Sequence, residues 1–241
     1  VCKPGVSKQR IIAAGLATQR SSVVAWERST GKALSKVLGW QDRRTEKLLR
    51  TMNVDAVEIG KLTGLRLSSH YGATKLRWLL LHEQAVKKGL ARDDLVMGPL
   101  ASYLLHHLLA ADGEWVDHAN ASRTLLWNIN ERNWDRTLMR LFGVPGRILP
   151  ECLPTCAEYG RLTTGDIPLM AVNGDQTAAM YAQGMPDKNT LRVNMGSGAF
   201  VLLPVDDPAV CPEGLLAGIS RSDEYMASYY IEGTVNGAGA A

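Results

Sequence analysis

Apolar and polar positions divide this chain into sheet-forming ends around a largely helical middle third. Ile11 to Ala17 is an uninterrupted apolar run that stops at Thr18-Gln-Arg-Ser-Ser22, the pattern of a strand buried on both faces. Val23-Val-Ala-Trp-Glu-Arg28, Ser29-Thr-Gly-Lys32 and Ala33 to Leu38 read as a hairpin about a glycine turn. From Asp42 to Lys61 the spacing turns helical, with Leu48, Leu49, Met52 and Val57 among charges. A clearer helix starts near Thr74, carries Leu76, Leu79 and Leu80, and is expected to stop at Lys87-Lys-Gly89. Leu100 to Leu109 predicts a well-buried helix closed by Ala111-Asp-Gly113. Asn133 predicts the cap of another, bearing Trp134, Leu138 and Leu141 and ending before Gly143-Val-Pro145.

Strand signals return with Ile167 to Val172, followed by small and apolar residues from Thr177 to Gln183 that suit a helix packed closely on a sheet. Leu191 to Met195 and Phe200 to Leu203 flank Gly196-Ser-Gly198 as a hairpin, and Gly214 to Ile219 and Tyr225 to Ile231 add two strands around Ser220-Arg-Ser-Asp223. No internal repeat or low-complexity linker interrupts this order, so the pattern predicts one α/β domain, a mixed sheet with flanking helices and a helical insertion.

At 241 residues and 46% apolar content, the chain has enough material for a large core. Its formal charge of +3 comes from 27 basic and 24 acidic residues spread along it, with no polybasic block of the kind that neutralises many phosphates, so nucleic acid is not the favoured partner. Cys2, Cys152, Cys156 and Cys211 form no CxxC pair and have no histidine at zinc-ligand spacing. Free thiols in a reducing, cytoplasmic setting are expected. No apolar run approaches the roughly 18 to 20 residues of a membrane span, so no membrane partner is expected. The start Val1-Cys-Lys-Pro-Gly5 has no initiator methionine and the end Gly237-Ala-Gly-Ala-Ala241 is abrupt, which together suggest an excised piece of a longer protein.

Candidate chemistry concentrates near Asp175. It follows the predicted strand directly, with Asn173 and Gly174 expected to turn its side chain toward the sheet's carboxyl edge, where ligands of open α/β sheets bind. It reads either as a group that receives a hydroxyl proton or as the cap of the following helix. Gly196-Ser-Gly198 reads either as a plain hairpin turn or as a place where main-chain N–H groups and the Ser197 hydroxyl meet a phosphate. Arg20, just past the first strand, is either a donor fork for a polyol or phosphate or an ordinary surface charge. Trp40-Gln-Asp-Arg-Arg44 joins an aromatic face to hydrogen-bonding groups, as a sugar site requires, although Trp40 also suits a core. Asp117-His-Ala-Asn-Ala-Ser-Arg-Thr124 is dense in polar groups, and its Asn-Ala-Ser triplet matches a glycosylation acceptor that a cytosolic chain would not use. His106 and His107 are expected on different faces of their helix, not as a metal pair.

Taken together, Gly15-Leu-Ala-Thr-Gln-Arg-Ser-Ser-Val-Val-Ala-Trp-Glu-Arg28, Trp40-Gln-Asp-Arg-Arg-Thr45, Asn120-Ala-Ser-Arg-Thr124, Gly174-Asp-Gln176 and Gly196-Ser-Gly-Ala-Phe200 resemble the N-terminal domain of the FGGY carbohydrate kinases, in the family's order over nearly the whole chain. Within that family the chain is most similar to the glycerol kinases. The resemblance implies an actin-like ATPase, ribonuclease H-like fold, with a sugar or polyol in a cleft between two such domains and MgATP entering from the other. It implies Asp175 as catalytic base, and substrate contacts from Arg20, Trp40, Gln176 and Phe200. Gly196, Ser197 and Gly198 match the segment that meets the ATP phosphates. ATP and Mg2+ are the implied cofactors, with no metal ligand assigned in this chain, and a homo-oligomer stays open.

Three departures stand out. Ser21 occupies the place of a polyol-binding glutamate, a pocket tyrosine falls at His70 or Tyr71, and Ala101 replaces an expected aspartate. The family's opening phosphate-loop strand is expected before Val1 and its C-terminal domain after Ala241, so residues 1–241 are expected to be an incomplete N-terminal, substrate-binding domain. The expected function is an ATP-dependent carbohydrate or polyol kinase, inactive as this fragment alone. A non-catalytic polyol-binding or regulatory module derived from a kinase is the alternative, and an actin-like scaffold comes third.

Overall fold

The computed structural model describes residues 11–110, 113–195 and 199–235. The strand Ala14–Thr18 pairs in parallel with Pro168–Gly174, which pairs antiparallel with Cys156–Arg161. The predicted first strand is therefore shorter than its apolar run, and it is not buried on both faces. Gly15 and Ala17 are exposed, while Ala14 and Leu16 pack against Ala101 and Leu105 of the helix Leu100–Leu108. Among the described residues this strand is the edge of its sheet, and one of its faces packs on a covering layer.

A second sheet holds Arg192–Met195, Ala199–Val205, Ala227–Val235 and Leu216–Ser222 in that spatial order, every pair antiparallel. The hairpin expected about residues 196–198 is present, and the two further strands expected pair with each other antiparallel as well. Alternation along the third of these strands puts Tyr230, Glu232 and Thr234 on one face. Their direct partners Pro204, Leu202 and Phe200, and Arg192 and Asn194 one strand further, share it.

The middle of the chain is helical, in shorter pieces than the periodicity predicts. Asp42 to Lys61 yields two helices, Glu46–Arg50 and Ala56–Thr63, the second capped by the Asp55 carboxylate on Val57 N and Glu58 N and ended by Gly64 in the left-handed region. The next helix begins at Gly72, breaks at the extended Glu83, and a second one, Gln84–Ala91, runs straight through the expected stop. Gly89 serves packing instead: a Cβ there would lie 2.8 Å from Leu34 Cδ1. Asn133 is not a helix cap. It pairs with Asn128 in a two-residue ladder, and the cap of Arg136–Phe142 is Asp135, which accepts from Thr137 N and Leu138 N. The early hairpin is partial, since Val23–Trp26 takes Val96–Pro99 as its ladder and meets the return segment through isolated bridges to Leu38 and Ala33 and a hydrogen bond from Ala25 N to Ser35 Oγ.

The largest buried cluster joins Val23, Leu65, Leu76, Leu79, Met97, Leu126 and Phe142. At about 1.5–3 kcal/mol for each large apolar side chain buried, this cluster anchors the first turns of Gly72–His82 beneath the loops that carry the site. No helix among the described residues is long and apolar enough to cross a membrane.

Candidate active site

Parallel pairing sets Thr18 beside Gly174. Both strands therefore leave the sheet at one edge, and the residues just beyond them meet there: Arg20 Nε lies 3.9 Å from Asp175 Oδ1. Asp175 is the first residue of the short helix Asp175–Ala179, which starts two residues earlier than expected and is over by Met180. Its carboxylate accepts from Gln176 N at 2.7 Å and is 48% exposed. Gly174 is the residue at the cap position, with φ −71, and no side chain caps this helix. The glycine is needed for another reason: a Cβ at Gly174 would fall 2.5 Å from both Cγ and Cδ of Arg20. The bare backbone makes room for the arginine stem to lie across the strand end.

Arg20 is no solvated surface charge, with a side chain only 7% exposed. Its Nη1 donates to Tyr230 Oη at 2.7 Å and to Glu232 Oε2 at 3.1 Å. The other carboxylate oxygen, Glu232 Oε1, accepts from Arg123 Nη2 at 3.1 Å and from the Thr234 hydroxyl at 3.2 Å. Glu232 is 1% exposed. Burial alone would raise its carboxyl, but the Arg123 and Arg20 guanidiniums outweigh that and hold it at about 2. Arg123 is itself buried, with its guanidinium carbon 5.4 Å from the Tyr71 ring centroid.

Sequence reasoning missed Glu232, Arg123 and Tyr230. The available signal was a lone carboxylate inside the apolar strand pattern Tyr229-Tyr-Ile-Glu-Gly233, and an arginine within the polar segment at 117–124. That segment is interior. Asp117 accepts from Asn120 N and Nδ2, and the Thr18 hydroxyl donates to Asn120 Oδ1. Asn120 is 1% exposed, so the glycosylation triplet is closed off.

A second wall faces this edge. Trp40 is 43% exposed and so outside the core, and its ring lies 5.9 Å from that of His70. His70 in turn meets Tyr71 edge-on at 5.1 Å. Tyr71 is buried against Arg123, so the half-buried His70 is the one of the two that faces Trp40. Burial, then the Arg123, Lys75 and Arg20 charges, push the His70 imidazole down to about 4, which leaves it neutral near pH 7.

Ser21 is buried at φ 62, and its hydroxyl has no partner among the described residues. Ala101 is fully buried in the core. Gln176 Oε1 accepts from Asn194 Nδ2 at 2.8 Å, and Asn194 pairs across the hairpin with the half-buried Phe200. Gln176 and Asn194 border a groove of about 330 Å³ that Met180 and Leu202 also line. A larger depression of about 560 Å³, between Pro154–Glu158 and Asp223–Tyr225, contains none of the expected site residues. Gly196, Ser197 and Gly198 lie outside the described residues. Among those described, no cluster of three or more His, Cys, Asp or Glu is placed to hold a metal ion. Cys152, Cys156 and Cys211 are free thiols.

The model of the FGGY family of carbohydrate kinases, N-terminal domain, matches residues 1–181, and the chain belongs to that family. Its curated relatives include the glycerol kinase of Rippkaea orientalis, 37% identical over 238 residues that cover 96% of this chain and 48% of that protein. The glycerol kinase of Thermus brockianus is 35% identical over 246 residues, covering 99% and 50%. Among solved structures, the glycerol kinase of Plasmodium falciparum with ADP superposes with a TM-score of 0.86 at 28% identity, over 95% of this chain and 47% of that one. A xylulose kinase from Lactobacillus acidophilus superposes at 0.77 with 18% identity, over 97% and 49%, a likeness of fold alone. The fold is the actin-like ATPase, ribonuclease H-like one that the motifs imply. The chain spans about half the length of the curated relatives it matches.

Proposed function

We propose that this chain is the acceptor-binding part of an ATP-dependent carbohydrate or polyol kinase, which transfers the γ-phosphoryl group of ATP to a substrate hydroxyl. The observation that carries this reading is the meeting of an accessible carboxylate, Asp175, with a guanidinium, Arg20, that a buried carboxylate holds from behind. Arg20, with Trp40 and His70 opposite, orients the polyol, and Gln176 and Phe200 border the same edge. Asp175 takes the hydroxyl proton as the new O–P bond forms and the bond to ADP breaks. An aspartate is weaker than the alkoxide by about ten pK units, so its contribution is orientation and late proton acceptance.

Gly196, Ser197 and Gly198 are the residues proposed to meet the ATP phosphates, by the resemblance alone. Mg2+ is proposed to enter with ATP, since the described residues offer no ligand cluster of their own. The names of the relatives, and the ADP in one of them, support ATP as donor and a polyol as acceptor. The free thiols support a cytoplasmic setting.

The test is Asp175→Asn in the full-length protein, assayed with ATP against glycerol, tetritols, pentuloses and hexuloses. Turnover should collapse with little change in polyol binding, and near-normal turnover would sink the assignment. A second reading, a polyol-binding module without catalysis, is motivated by Ser21, whose buried hydroxyl finds no partner among the described residues, at the place where the resemblance puts a glutamate. Calorimetry that shows polyol binding by a full-length protein without ATP turnover would favour it.

A further inference from the structure

Lys75 breaks two local rules at once. It sits in the first turn of Gly72–His82, where a cation opposes the positive end of the helix dipole. It is also 0% exposed, although burying an ammonium is costly unless its charge and protons are matched. A methionine would fill similar space without that cost. Departures of this kind are expected where function overrides local preference.

All three ammonium protons go to backbone carbonyls: Ser21 O at 3.0 Å, Gly39 O at 2.9 Å and His70 O at 2.6 Å. The three acceptors belong to three separate loops. Ser21 follows Arg20, Gly39 precedes Trp40, and His70 forms part of the wall itself. Three tetrahedral donors suit three converging carbonyls in a way that no apolar side chain reproduces. Beside this clamp, the Thr45 and Thr74 hydroxyls meet at 2.8 Å and tie the loop after Trp40 to the same helical turn.

We propose that Lys75 is a positioning residue which, through the carbonyls of Ser21, Gly39 and His70, sets the spacing of Arg20, Trp40 and His70 that the acceptor polyol meets. This rests on the kinase reading above.

The charged and titratable groups around Lys75 are Asp42 on the loop after Trp40 and His70 on the loop before the helix, with Arg20, Arg123 and Glu232 beyond His70. Burial pushes the Lys75 ammonium down to about 8 against the pull of Asp42. A neutral amine donates two hydrogen bonds, so one of the three carbonyls then loses its partner. Because the folded value lies below the ordinary 10.5, the unfolded chain binds more protons between the two values. Stability from this group therefore rises with pH there.

The experiment uses the full-length protein with ATP. Lys75→Met should raise the polyol KM about tenfold or more while kcat and the ATP KM stay within about threefold, and Lys75→Arg, which keeps the charge and donors, should recover part of the loss. A folded Lys75→Met variant with an unchanged polyol KM overturns the proposal. Should that variant fail to fold, Lys75→Arg supplies the measurement, since a guanidinium cannot meet the three carbonyls with the geometry of an ammonium. Its polyol KM should rise several-fold while kcat and the ATP KM stay within about threefold, and a folded Lys75→Arg variant with an unchanged polyol KM overturns the proposal. Asp175→Asn measured alongside separates the two readings: retained turnover there defeats the kinase reading, whereas collapse there with normal Lys75 variants defeats only the positioning role.

Discussion

Arg20 and Asp175 face each other across 3.9 Å and are held in opposite ways. Arg20 is buried, its stem laid over Gly174 and its Nη1 bound to Tyr230 and Glu232. Asp175 stands half in solvent on one backbone N–H. In the kinase reading proposed above, the contrast separates two tasks: a fixed donor for the polyol, and a carboxylate open to the hydroxyl proton. A buried charge network resists distortion because each broken pair strands a charge.

The contrast can be broken most severely from the exposed side. Asp175→Asn in the full-length protein should cost about 10²–10⁴-fold in turnover, with the polyol KM nearly unchanged, by steady-state kinetics. Stability should hardly move.

From the buried side the signature inverts. Glu232→Leu strands Arg20 and Arg123 together and should cost about 3–5 kcal/mol in urea denaturation, with turnover lost only through misplacement of Arg20. The pH dependence has a definite sign. The Glu232 carboxyl is held at about 2, below its ordinary 4.5, so its contribution is present above about 4.5 and is lost as pH falls toward about 2. Glu232→Gln should flatten that acid limb.

Gly174→Ala tests the contact between the two sides. Its methyl would enter the space of Arg20 Cγ and Cδ, so a loss of about 1–3 kcal/mol and a raised polyol KM are expected, with Asp175 itself untouched. The smallest stability effect belongs to Trp40→Ala. With Trp40 43% exposed, the change should cost no more than about 1 kcal/mol of stability yet raise the polyol KM several-fold if the ring forms the acceptor wall. An unchanged KM would remove Trp40 from the site.

Much of this was legible along the chain. The strand before Asp175, the hairpin on either side of residues 196–198 and the helix Leu100–Leu108 all follow from local pattern and agree with the structure to within a few residues. Local pattern failed where packing decided. Gly89 lies within a helix, where a Cβ would crowd Leu34, and of the described strand Ala14–Thr18 only one face packs on the neighbouring core. The company of Arg20 was invisible for a plainer reason: its carboxylate partner lies 212 residues away, and Arg123 lies 109 residues from that same carboxylate.

By itself the sequence determined which chemistry was at hand, because side-chain identity and short spacing are local properties: a carboxylate after a strand, an arginine after another, an aromatic near each. Only the tertiary structure decided which of these groups are exposed and which are held. The parallel register of Thr18 with Gly174 brought Arg20 to Asp175, and the antiparallel register of the second sheet put Glu232 behind them. Those pairings join residues distant in the chain, and the buried ion pairs in which Arg20 and Arg123 keep Glu232 charged against the cost of its burial exist only once the layers have packed.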